Sequence, residues 1–191
     1  LPKMLAGKRA GASPFISGYS HGIAGQSAPK DIETAFQLAY LYITAPRFDE
    51  SEFKTGMAQL EAVFPNIKNT PDYKYGIEME KVLYGNNPRV ISLDDQTIAK
   101  ANLATIENNY RKLFNGVNGA TLTITGNVDL DVLKPLVEKY FGSISKGKKL
   151  KVNKKEIIEF AKGEVNQTLE LEMATPKSSV FQFYSAYMPV N

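Results

Sequence analysis

The stretch 121–142, TLTITGNVDLDVLKPLVEKYFG, constrains the fold more than any other, because it reads as a strand, a turn and an amphipathic helix with every boundary marked. Leu122 and Ile124 alternate with Thr121, Thr123 and Thr125, the period-two pattern of a half-buried strand in residues that suit a pleated surface. Gly126 and Asn127 turn the chain. Asp129 is placed to cap the helix that follows, and Asp131 adds negative charge to a first turn whose amides are free. Leu130, Leu133, Val137, Tyr140 and Phe141 make one apolar stripe, and Gly142 stands where a left-handed residue ends a helix.

The rest of the chain must give this unit something to pack against. With 191 residues, 43% of them hydrophobic, it has enough apolar side chains for one sizeable core or two small ones. The net charge of +3 is too small to argue for nucleic acid, and it is local: SISKGKKLKVNKKE carries six lysines before its first acid, Glu156. A solvated loop explains that run. A polyanion-binding module is the alternative, although no aromatics are interleaved to stack bases. The chain has no cysteine, which rules out disulfides and thiolate zinc sites. No apolar run approaches the roughly 20 residues of a membrane-spanning helix. The opening LPKMLAGKRAGASPF lacks a signal-peptide layout, and without an initiator Met the chain is expected to begin inside a longer protein.

In order, residues 8–26 hold short strand-like pieces around Phe15, Ile16 and Tyr19, broken by Gly11, Gly18, Gly22 and Gly25, which reads as a β-hairpin or a strand pair with bulges. A phosphate loop is set aside, since neither a Gly-Lys-Ser/Thr ending nor a preceding apolar strand is present. A helix begins near Pro29, with Asp31 and Glu33 in its first turn. Ile32, Ala35, Phe36, Ala39 and Ile43 form its stripe, Leu38, Leu41 and Tyr42 widen it, and Pro46 stops it. It is expected to be a central core helix. Asp49 and Glu52 resemble a capping box ahead of Phe53, Met57, Leu60 and Phe64. Thr70 and Pro71 start a third helix, with Tyr75, Met79 and Val82 on one face and Gly85 at its end. A short helix near 95–101 and a longer one striped by Leu103, Ile106, Tyr110 and Leu113 lead into 121–142. Residues 168–173 and 180–187 alternate and are expected to form a hairpin. The chain then stops at Asn191 with no closing helix, so the domain is expected to be truncated.

Three segments carry a resemblance to one family. TLTITGNVDLDVLKPLVEKYFG, the run ISGYSHGIAGQSAPKDIETAFQLAYLYITAPRFDESEF, and KVLYGNNPR resemble the repeated domain of the insulinase/pitrilysin zinc metallopeptidases, in the family's order. The resemblance implies an α+β fold, a two-layer arrangement in which an antiparallel-rich sheet is covered by helices on one face. Residues 1–90 would hold the strand pair and helical first part of one repeat domain, and 91–191 the start of its second part.

The same resemblance implies where the chemistry lies. The family hydrolyses peptides with an inverted His-x-x-Glu-His zinc motif, in which two imidazoles one helical turn apart hold the metal and the Glu activates water. This chain has one histidine, His21, read as a surface or strand residue rather than a ligand. The position aligned with the family's third ligand is Gly56, and Glu61 reads as a solvent-facing charge. No catalytic and no metal residue is therefore assigned. The chain resembles the degenerate carboxy-terminal half, which closes with a catalytic half of the same chain around a peptide, with zinc confined to that other half and export to the cell envelope implied. The family's substrate-contacting Arg/Tyr pair would lie beyond Asn191. A strand edge near Ser17 to Ala24, with Ser17, Gly18, Tyr19 and Gly22 as candidates, is where a peptide could add through main-chain bonds. An inert structural or assembly subunit is the alternative.

Overall fold

The computed structural model describes residues 2–18, 20–150, 158–173 and 175–186. They fall into two compact units, one made of residues 1–50 and 102–152, the other of 51–101 and 153–191.

The first unit starts from a hairpin of β1 (Ala10–Ile16) and β2 (His21–Ser27), antiparallel, with Pro14 opposite Ile23 and Phe15 opposite Gly22. Two main-chain bonds fix which pairs exchange hydrogen bonds: Ser17 N–H to Ser20 O at 2.7 Å and Ala28 N–H to Arg9 O at 2.8 Å. Hydrogen-bonded pairs recur every second residue, so on β1 they fall at Gly11, Ser13 and Phe15. Pro14 lies between them, with its donorless nitrogen toward the outer edge, the place in a sheet where proline is tolerated.

A 3-10 turn at Pro29–Asp31 leads into α1 (Ile32–Thr44), which buries Thr34, Ala35, Phe36, Leu38 and Ala39. Asp31 accepts a bond from Arg9 N–H at 3.0 Å, tying the helix start to the hairpin. The other partner is α6 (Leu130–Tyr140), capped by Asp129 accepting from Asp131 N–H. Phe36, Leu133 and Tyr140 make the buried cluster, flanked by Ile32, Tyr40, Ile124, Val128, Leu136, Val137 and Phe141. A polar clasp closes its rim. Glu33 accepts from Tyr140 Oη at 2.8 Å and from Lys139 Nζ at 2.9 Å, and Gln37 donates to Tyr140 Oη at 3.1 Å. The Lys139 and Tyr140 bonds hold the Glu33 carboxyl below its ordinary value, and Glu33 in turn raises Lys139. α5 (Leu103–Leu113), capped by Asn102, completes this unit.

The second unit holds most of α2 (Glu50–Lys68), then α3 (Pro71–Tyr84) and α4 (Asp95–Ala99). Phe53, Met57, Leu60 and Phe64 face inward along α2, and Phe64, 2% exposed, meets Tyr73 edge-on at 5.7 Å. Thr70 caps α3 through Tyr73 N–H, Gly85 ends it at φ 58°, and Asp94 with Thr97 forms a capping box on α4. The α+β class and the run of five helices before residue 121 agree with the sequence reading.

Several local expectations are corrected. Residues 121–125 run without a ladder partner among the described residues, as do 168–173 and 180–186, with Tyr187 outside the described set. Alternation supplies a face, whereas a strand also needs a neighbour's main chain in register. Only Ile124 of the first stretch reaches the core, and Leu122 stays 47% exposed. Leu130 is exposed at the start of α6, and Tyr75 and Leu41 are exposed on theirs. Gly142 is not left-handed. Its N–H bonds Val137 O, and a Cβ there would sit 2.6 Å from Glu138 O, so close approach explains the glycine. Pro65 and Pro135 lie inside α2 and α6, where each removes a donor at a cost of roughly 3 kcal/mol that packing offsets.

Two outcomes follow for the clasp. Tyr140→Phe removes two bonds around one buried hydroxyl and should cost about 1 to 2 kcal/mol in urea unfolding; an unchanged midpoint would show the clasp idle. Because the folded Glu33 pKa is depressed, its contribution is present above the ordinary value of 4.5 and is lost as pH falls through the lower folded value. Glu33→Gln should therefore flatten the acid side of the stability profile, read as Tm between pH 5 and pH 3.

Candidate functional site

The hairpin brings together the residues singled out as a peptide-binding edge. Ser17 and Ser20 close its turn: Ser17 Oγ lies 3.0 Å from Ser20 O and 2.9 Å from Ser20 Oγ, and Ser20 N–H donates back to Ser17 Oγ at 3.1 Å. Ser17 is thus committed to the turn and Gly18 stands at its tip. Tyr19 lies outside the described residues. Gly22 is within β2, opposite Phe15.

The two edges of the hairpin differ. By the register, β1 turns the main-chain groups of Ala10, Ala12, Pro14 and Ile16 outward, and β2 those of His21, Ile23, Gly25 and Ser27. Proline interrupts the donors of the first row. The second row has every donor and acceptor, no charged side chain between His21 and Ser27, and no ladder partner among the described residues. Ala24 to Ser27 are exposed. An open, unguarded strand edge is a template for another extended chain.

His21 does structural work at the start of that strand. Its Nε2 lies 3.0 Å from Leu113 O, and its ring meets Phe114 edge-on at 5.3 Å. Phe114 stacks on Tyr110, whose hydroxyl donates to Tyr42 O at 2.8 Å, and desolvation raises the Tyr110 pKa. The imidazole therefore joins the hairpin to α5 and α1. Gly56 and Glu61 are both exposed on α2, and Gly56 offers no donor atom. Among the described residues no group of three or more acidic or histidine side chains is arranged to hold a metal. The described residues do not fit the zinc that the resemblance implies for the catalytic half.

Two features were not legible in the sequence. In the second unit a groove of about 700 Å³ runs along α3, lined by Tyr73, Ile77, Ile91, Leu169 and Leu171, with Ser92 bonded to Glu80 at its wall. It gathers residues almost a hundred positions apart, which no local pattern announces. In the first unit Asn115 accepts from Lys148 N–H at 2.6 Å and pins the start of the lysine run. Lys146, Lys148 and Lys149 are exposed, as a solvated loop requires, and the lysines from 151 to 155 lie outside the described residues.

Residues 100–185 match a family model described as the peptidase M16 inactive domain. Neither the curated proteins nor the solved structures give a match to the chain. No helix among the described residues is long and apolar enough to cross a membrane. The match covers the resembling stretch 121–142, and it supports reading this part of the chain as similar to the non-catalytic carboxy-terminal half of the insulinase/pitrilysin peptidases.

Proposed function

We propose that this chain walls the substrate chamber of a zinc-dependent peptidase, closing with a catalytic half of the same protein that holds the metal and the water-activating acid. Residues 1–90 serve as the first part of one repeat domain and 91–191 as the start of its second. The match of 100–185 to an inactive peptidase domain carries this reading. The commitment of the single histidine to the fold supports it. The chain's own contribution is to bind and orient. An extended peptide laid along β2 exchanges main-chain hydrogen bonds with Ile23, Gly25 and Ser27, which holds it straight and leaves its side chains to be read by the surrounding walls. Ser17, Gly18 and Gly22 border that edge.

Metal analysis and a quenched-peptide assay test this, run on the chain alone and on the protein containing both halves. The chain alone is expected to be metal-free and inert beside an active, zinc-bound whole. Zinc-dependent cleavage by the chain alone would contradict the reading, and a whole protein without zinc or activity would point to an assembly role. His21→Ala should leave the metal content of the chain unchanged and lower its stability by about 1 kcal/mol through the lost Leu113 bond. A loss of bound zinc in that variant would make His21 a ligand after all.

A further inference from the structure

The outer face of the hairpin carries a feature that main-chain pairing alone does not explain. Cross-strand partners share a face, so Phe15, Gly22, Ser13 and Ala24 lie on one side, while Pro14, Ile23, Ala12 and His21 lie half-buried on the other. Phe15 is 43% exposed, and its ring lies across Gly22: a Cβ on Gly22 would stand 3.1 Å from both Cε1 and Cζ. Glycine weakens a strand, and an aromatic on the facing strand can cover the bare main chain it leaves. Here the ring also extends from β1 over β2 toward the open edge. The gap at Gly22 gives that ring access to whatever pairs there.

We infer that Phe15 is a selectivity residue for an extended peptide on β2, favouring a large apolar side chain at the peptide position opposite Gly22. This rests on the edge-pairing reading above. Because the outward main-chain groups of β2 belong to His21, Ile23 and Gly25, Gly22 would face its peptide partner in a non-hydrogen-bonded pair, where side chains approach most closely. A leucine or aromatic at that position lies on the same face as the Phe15 ring, with no intervening side chain on β2. An alanine leaves the ring uncovered, and a charged side chain would be desolvated against it without a partner. Cross-strand apolar pairs of this kind are worth about a fivefold preference.

Fluorescence anisotropy with the intact chain and three labelled peptides tests the inference. One alternates threonine with leucine, one alternates threonine with alanine, and the third is the leucine peptide N-methylated at alternate residues, made in both phases. The leucine peptide is expected to bind about fivefold more tightly than the alanine peptide, and N-methylation to abolish binding on one of its two phases. Phe15→Thr, which keeps strand propensity, and Phe15→Leu, which keeps apolar bulk, separate selectivity from folding. The first should erase the preference with binding of the alanine peptide retained, and the second should keep part of it. Binding that is sensitive to N-methylation but indifferent to leucine or to Phe15 would overturn the selectivity while leaving the edge in place. No binding, or binding insensitive to N-methylation, would overturn the edge reading and the selectivity with it.

Discussion

The first unit depends on the burial of one face of α1. A 13-residue helix is marginal alone in water, and so is a two-stranded hairpin. Each becomes stable by covering the other, and α6 supplies the third wall through Leu133, Tyr140 and Phe141. Burying side chains of the size of Phe36 and Leu133 contributes roughly 1.5 to 3 kcal/mol each. Glu33, Gln37, Lys139 and Tyr140 add direction rather than bulk, because a hydroxyl bonded on two sides is satisfied in one arrangement of α1 on α6.

In the same unit, the single histidine is engaged by the fold. Its Nε2 is spent on a main-chain carbonyl at the end of α5, and its ring is packed against Phe114. A zinc site asks for freely presented nitrogens converging from one helical face, and the hairpin presents none. What it presents is an asymmetric pair of edges. Proline blunts β1, and β2 keeps its whole row of donors and acceptors.

The helix starts at Thr70 and Asp129 were legible because their signals are local: each side chain lies two or three residues from the amide it receives. Asp94 and Asn102 cap in the same way, although only the approximate bounds of their helices were read. The hairpin was legible through its glycines and the short turn. Residues 121–125 and 168–173 show the limit, since their alternation says which side chains agree but not which main chain lies alongside. Pro65 and Pro135 stand inside helices, where an apolar stripe on either side of the ring carries the reading through and tertiary packing carries the helix. At the candidate edge, Gly22 was visible as a glycine, but the ring above it required the register. The likeness of residues 100–185 to an inactive peptidase domain needed no geometry, since the strand-like run and helix of 121–142 lie together in the sequence.

Of the hairpin's two outer edges, only that of β2 keeps an uninterrupted row of main-chain donors, and residue-resolved amide hydrogen exchange on the chain without peptide tests its availability most directly. The N–H groups of Gly22 and Ala24, held against β1, should exchange slowly, and those of Ile23, Gly25 and Ser27 should exchange at rates near those of exposed loops. Equal protection along the whole of β2 would mean that its outer edge is already paired, and would contradict its use as a peptide-binding strand.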